Sequence, residues 1–313
     1  MRSDKALLEK NFVSAVIYIY NAEVSLPPFL EMLDKYFHTG FLKYELIFVN
    51  DASEDKSVEV IREYFKGSRE GMVTVLNMSY FQGRECAMSA GVDLAIGDFI
   101  YEFESTIMSY PFSMLREVYT RCLEGYDIVS ASPHTHSHRL AQLFYALYNR
   151  YSNAQKKLYT EAFRILSRRA VNRIWSMSST LPYRKAVYAN CGLPTEVLWY
   201  DIISDFSIAR GRERKMQEET AVDALILYTE VAYKFSMMFS LLMILFTFTM
   251  CVYIVIVFAI GKPVPGYVST IAVLSFGFFG VDVFLTILIK YASLILKVVF
   301  TKQKYMIEAV EKL

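Results

Sequence analysis

The spacing of apolar residues keeps one rhythm through the first half of this chain and then abandons it. Ser14–Tyr20 (SAVIYIY) is a β-branched and aromatic run, the composition of a buried strand. Asn21 closes it, and Pro27-Pro28 opens PFLEMLDKYF, a helix with proline in its first turn. A second strand, YELIFVN, ends at Asn50-Asp51, and the helix KSVEVIREYF follows with acids at its N-terminal end, as the helix dipole favours. MVTVLNM reads as a third strand, Gly83 to Ala95 as a helix, and Gly97-Asp98 turns into the strand FIYEFE. This alternation of strand and helix predicts a parallel sheet wound with helices. Ligands of such sheets bind beyond the carboxyl ends of the strands, where Asn21, Asn50-Asp51 and Glu104 all fall.

Further along, PFSMLREVYTRCLEGY is a helix ending at Gly125 and DIVSAS a strand, followed by the histidine loop PHTHSHR. Arg139 to Arg150 is a helix with an aromatic face, EAFRILSRRAV is a compact element, and Asp201 to Glu219 is a polar linker or exposed hairpin. Ala221 to Tyr233 is apolar enough to lie along a membrane surface. The rhythm then changes. Phe235 to Ile260 holds 26 residues without a charge, and Pro263 to Ile289 holds 27 with Asp282 alone. About 20 apolar residues cross a bilayer, so the two runs, joined by GKPVPG, predict a transmembrane helical hairpin. The other reading is two long helices buried in a soluble core.

Composition adds limits. Hydrophobic residues make up 54% and charged ones 21%, an apolar excess concentrated in those two runs. A net charge of +1, with no basic stripe among aromatics, argues against nucleic acid. Cys86, Cys122, Cys191 and Cys251 have no C-x-x-C spacing, so they read as free thiols in a reducing compartment. MRSDKALLEKNF has no apolar signal-peptide region, leaving targeting to the hairpin. Lys290, Lys297, Lys302 and Lys304 place both flanks on the cytosolic side, with Lys262 in the turn dissenting.

Several motifs together carry a resemblance: IYNAEV after the first strand, VNDASED after the second, and the spacing Gly83, Ala87, Gly91, Ala95, Gly97, Asp98 with Phe81 where the pattern has Asn. FRILSRR and a closing KQKYMIE complete the set. The chain resembles family-2 glycosyltransferases of the dolichol- and polyprenyl-phosphate type. The resemblance implies an α/β fold, a GT-A nucleotide-binding domain over 1–215, and a juxtamembrane segment over 216–233. It also implies a membrane domain over 234–313, with spans at about 235–260 and 266–289 and a cytosolic C-terminal helix. The implied activity is transfer of a sugar from a nucleotide-sugar donor to a polyprenyl phosphate, at the cytosolic face of a multi-pass membrane protein. An acceptor phosphate oxygen is already ionised at neutral pH, so attack on the anomeric carbon requires no strong base.

The residues that resemblance assigns are Tyr20, Asn21, Glu23, Asn50, Asp51 and Gly83 for the nucleotide and Glu104 with Arg164 for catalysis. Arg139, Arg164 and Arg184 are the candidates for phosphate, because guanidinium pairs with it bidentately. Asp51 can equally cap the helix that follows it, and the glycines can serve close helix–strand packing. A divalent Mg or Mn is implied at a D-x-D motif whose aligned positions here are Glu104, Thr106 and, two further on, Met108. Threonine offers only a neutral oxygen and methionine a soft sulfur, poor partners for a hard cation. Glu102 shares a strand face with Glu104, one step deeper. His134, His136 and His138 read as a solvent loop, and Asp282 as a helix–helix contact that points to self-association. The altered motif also motivates a second class of function, a non-catalytic homologue acting as scaffold or partner subunit of other glycan enzymes.

Overall fold

The structure is a computed structural model that describes residues 8–67, 71–134, 139–152, 156–177, 183–203, 220–225, 229, 231–259, 267–300 and 305–313. Among these, β1 (Glu9–Ile19), α1 (Leu26–Gly40), β2 (Phe41–Asn50), α2 (Ser57–Phe65), β3 (Met72–Met78), α3 (Arg84–Leu94) and β4 (Phe99–Phe103) alternate as the apolar runs predict. There follow α4 (Ser113–Leu123), β5 (Ile128–Pro133), α5 (Arg139–Tyr151), β6 (Phe163–Ser167), α6 (Arg168–Met177), α7 (Arg184–Asn190) and β7 (Thr195–Tyr200). Last come two long helices and β8 (Ile307–Lys312).

The strands form one sheet in the order β7-β5-β6-β4-β1-β2-β3-β8. β1 lies parallel to both β2 and β4, so the strand order reverses beside β1 and opens a crevice at the carboxyl ends there. Both faces of β1 are covered, which is why its sequence is a continuous apolar run rather than an alternating one. Val13, Ala15, Ile17 and Ile19 pack with α1, α2 and α4, while Val16 and Tyr18 pack with α3, α6 and α7. α3 comes so near the sheet that a Cβ on Gly91 would stand 2.4 Å from Val16 Cγ1 and 2.6 Å from Val49 Cγ2.

Gly97-Asp98 is scaffold as well. The Asp98 carboxylate accepts from Phe12 N at 2.9 Å, and Gly97 N donates to Ser14 Oγ at 2.8 Å. A Cβ on Gly97 would meet Ser14 N at 2.6 Å and Phe12 O at 2.9 Å, both backbone atoms that cannot rotate away. Gly97→Ala is therefore expected to cost roughly 1–3 kcal/mol through overpacking, read as a lower thermal unfolding midpoint.

Two features depart from expectation. FRILS is an antiparallel strand, β6, lying between β4 and β5. The C-terminal segment, expected as a helix, is the edge strand β8, antiparallel to β3. Arg62 reinforces that pairing through two guanidinium nitrogens on the Glu311 carboxylate, at 2.8 and 3.0 Å. The N-terminal domain thus includes the last residues of the chain, and the division at 215 separates strands of a single sheet.

The two long helices, Val231–Ala259 and Tyr267–Phe300, lie antiparallel, with Phe239 beside Phe284 and Phe246 beside Phe276. Leu241, Leu245, Val255 and Leu288 stand exposed along them. Among the described residues no helix is long and apolar enough to cross a membrane, so the transmembrane hairpin remains an expectation. The Asp282 side chain, residues 204–219, His136 and His138 lie outside the described set. Cys86, Cys122 and Cys191 stand outside any disulfide among the described residues.

Candidate functional site

Two networks occupy the carboxyl edge of the parallel strands. The first fastens the β1–α1, β2–α2 and β3–α3 loops to one another. Asp51, fully buried, accepts from Gln82 N at 2.7 Å, Gly83 N at 2.9 Å and Tyr18 Oη at 3.1 Å. Gly83 has φ of +88°, a conformation that glycine takes without strain, and this turns its N–H toward the carboxylate. Asn21 (φ +48°) accepts from Glu54 N at 2.8 Å, Asn50 accepts from Ser53 N at 3.0 Å, and Glu23 accepts from Lys56 N at 3.3 Å. The Tyr20 ring lies 4.5 Å from Phe81, centroid to centroid. All six residues expected around the nucleotide therefore converge, and four of them hold neighbouring backbone with their side chains.

The second network is a buried cluster of charges. β4 and β6 are antiparallel with Glu102 opposite Arg164, which puts both side chains on one face beneath α3 and α7. Arg164 donates to Glu102 Oε2 at 3.1 Å, Glu104 Oε1 at 2.6 Å and Glu161 Oε2 at 2.8 Å. Arg184, the first residue of α7, donates to Glu102 Oε1 at 2.7 Å, Glu104 Oε1 at 3.0 Å and Glu85 Oε2 at 3.1 Å. Tyr188 Oη adds a bond to Glu102 Oε1 at 2.8 Å. Arg84 Nε and Lys185 Nζ each stand 3.7 Å from Glu104 Oε2. Arg164 and Arg184 are among the most deeply buried side chains, because their donors are matched by carboxylates on several sides.

This corrects the part expected of the two arginines. Both are enclosed in carboxylates and present no open fork to a phosphate. The Arg139 side chain lies outside the described set. His134 stacks on Trp199 with ring centroids 5.7 Å apart. Sequence reasoning missed Arg84, Glu85, Glu161, Lys185 and Tyr188. For Lys185 the available signal was its place beside Arg184, the phosphate candidate, on a helix that buries both.

A divalent cation fits these residues poorly. Both Glu102 oxygens and Glu104 Oε1 accept hydrogen bonds from cations, and Glu104 Oε2 faces two more cations. The Thr106 hydroxyl shares a 2.6 Å bond with Ser25 Oγ. A hard cation here would have to displace guanidinium and sit among like charges. Among the described residues no group of three or more His, Cys, Asp or Glu is placed to hold a metal ion.

Burial alone would push the Glu104 carboxyl up, but Lys185, Arg164, Arg84 and Arg184 outweigh it and hold it well below the usual carboxylate range. With the folded value depressed, its contribution to stability is full above the unfolded value of roughly 4.3 and is lost as pH falls below that. Unfolding midpoints followed through this acid range are expected to drop more steeply for the parent chain than for Glu104→Gln.

The family described as glycosyl transferase family 2 matches residues 14–175, more than half of the chain. The chain belongs to glycosyl transferase family 2. An uncharacterized glycosyltransferase of Synechocystis sp. is 24% identical over 84% of each chain. The prophage bactoprenol glucosyl transferase homolog of Escherichia coli is 25% identical, covering 60% of this chain and 62% of that protein. The chain thus spans somewhat less than two thirds of the bactoprenol glucosyl transferases it matches. Among solved structures, glucosyl-3-phosphoglycerate synthase of Mycobacterium tuberculosis, in complex with Mn2+, UDP-glucose and phosphoglyceric acid, superposes with a TM-score of 0.47. The pair is 14% identical, covering 69% of this chain and 79% of the other. In this family-2 glycosyltransferase the switch-point crevice and both networks lie on the edge where α/β sheets bind ligands.

Proposed function

We propose that this family-2 glycosyltransferase moves a sugar from a nucleotide-sugar donor to a polyprenyl phosphate at the cytosolic face of a membrane. The observation that carries the reading is its similarity to bactoprenol glucosyl transferases, 24–25% identical over 60% of this chain. The membrane hairpin in this proposal is motivated by the sequence, in which Phe235–Ile260 carries no charge and Pro263–Ile289 carries Asp282 alone. Both the strand entering this region and β8, which leaves it, belong to one sheet, so a hairpin returns the chain to the side from which it started.

In this reading Asn21, Asn50, Asp51 and Gly83 shape the nucleotide pocket by fixing its loops, and the Tyr20–Phe81 pair lies beside it. An ionised phosphate oxygen of the lipid attacks the anomeric carbon. The bond from that carbon to the donor diphosphate breaks, and its electron pair leaves with the diphosphate. The commitment of Glu104 to arginines also favours the scaffold alternative, which predicts no transfer at all. Purified full-length chain, incubated with labelled nucleotide sugars and undecaprenyl phosphate, tests the choice. Label moving into the lipid phase with at least one donor supports the proposal, and none with any donor, with or without Mn2+, supports the scaffold.

A further inference from the structure

The expected metal position holds a balanced set of charges. Around Glu104 the described residues Glu85, Glu102, Glu104 and Glu161 face Arg84, Arg164, Arg184 and Lys185, four acids and four bases. The six strongest contacts run from Arg164 and Arg184 on the inner side of the cluster. Lys185 differs from them. Its side chain is 7% exposed, and its ammonium stands 3.7 Å from Glu104 Oε2, beyond hydrogen-bond reach. Among the described residues no acceptor takes a hydrogen bond from it. An ammonium with three donors is costly to bury unless an acceptor reaches it.

The surroundings favour an anion in that role. Lys185 and Arg84 approach the same oxygen of Glu104, and Arg84 opens α3, an 11-residue helix whose positive dipole end favours negative charge. Arg84, with 26% of its side chain exposed, lies on the accessible side of the cluster. The whole assembly sits beside the C-terminal end of β4, next to the crevice at β1. We propose that Lys185, with Arg84 and the start of α3, binds the diphosphate of the donor and offsets its charge as the sugar leaves, in place of a divalent cation. This rests on the glycosyltransferase reading and deepens it. The diphosphate gains hydrogen bonds from an ammonium that gives none to Glu104. When the bond to the anomeric carbon breaks, the negative charge left on the terminal diphosphate oxygen forms against Lys185. No proton moves in that step, so an ammonium that stays charged is the group required.

Calorimetric titration of the full chain in detergent with UDP and GDP, in EDTA and in Mn2+, tests this. At least one nucleoside diphosphate is expected to bind in EDTA within about threefold of its affinity in Mn2+. Lys185→Gln is expected to weaken that binding roughly tenfold, about 1.4 kcal/mol, and Lys185→Arg to keep most of it. The Mn2+ paramagnetic resonance signal is expected to be unchanged by the protein with nucleotide present. A gain of about tenfold or more on adding Mn2+, or parental affinity in Lys185→Gln, overturns the proposal and leaves the transferase reading standing. If Lys185→Gln does not fold, the comparison of EDTA with Mn2+ in the parent chain decides alone. Failure of both nucleotides to bind under either condition removes the donor-binding reading and this inference with it.

Discussion

Arg184→Ala is expected to cost about 3–5 kcal/mol of stability, the usual penalty for removing one partner from a buried ion pair. Arg184 is fully buried and holds three carboxylates at once: Glu85, Glu102 and Glu104. Its own backbone N–H also donates to Glu85 Oε2, at 2.9 Å, so the side chain and the start of α7 are fastened at the same point. Truncation leaves Glu102, with no exposure to water, facing Glu104 with Arg164 as the main remaining counter-charge. Lysine is a poor replacement, because one ammonium does not reproduce a planar fork bonded to separate carboxylates. At about 2–4 °C per kcal/mol for a domain of this size, the unfolding midpoint is expected to fall on the order of 10 °C. Arg184→Met combined with Glu102→Gln is expected to recover part of the loss, since it removes the stranded charge together with its partner. A single variant within about 3 °C of the parent would contradict this account of the cluster.

The second large effect is expected at Asp51. Asp51→Ala removes the acceptor of two backbone N–H groups and a tyrosine hydroxyl inside a fully buried site. Each stranded donor costs about 1–3 kcal/mol, so a total of several kcal/mol is expected unless water enters the gap. Asp51→Asn tests the geometry more finely. Its amide supplies one oxygen where two are used, and its NH2 faces a backbone donor. Gln82 also bonds both ways with Met306, its Nε2 to Met306 O at 2.6 Å and its Oε1 from Met306 N at 2.8 Å. Loosening this loop should therefore reach the C-terminal strand. Amide hydrogen exchange is expected to rise at Gln82, Gly83 and Met306 together in Asp51→Asn, with the far strands β5 and β7 unchanged.

The parallel half of the sheet was legible because β1 to β4 are apolar runs rich in β-branched and aromatic residues, the first two closed by Asn21 and Asn50-Asp51. The reversal at β1 places Asn21, Asp51 and Glu104 on one edge, as the alternation implied. β8 was not legible. IEAVEK is rich in helix formers and nearly all exposed, and it is a strand through pairing with β3, a partner more than two hundred residues away. The charge cluster shows the same limit at the level of side chains. Strand parity put Glu102 and Glu104 on one face, and Arg164 was singled out as a ligand for phosphate. That Arg164 stands opposite Glu102 depends on the antiparallel register of β6, which no local pattern encodes. Arg184 was likewise singled out for phosphate, and its enclosure by carboxylates depends on where the seven-residue α7 packs, which no local pattern encodes.

The central claim is that this family-2 glycosyltransferase places a sugar on a lipid phosphate. Mass spectrometry of the lipid phase, after the full chain is incubated with a panel of nucleotide sugars and undecaprenyl phosphate, tests it most directly. A new lipid heavier by one sugar residue is expected, its phosphate monoester converted to a diester, formed with one donor and absent when that donor is withheld. Unmodified lipid with every donor, or sugar appearing on a saccharide while the lipid stays unchanged, would contradict it.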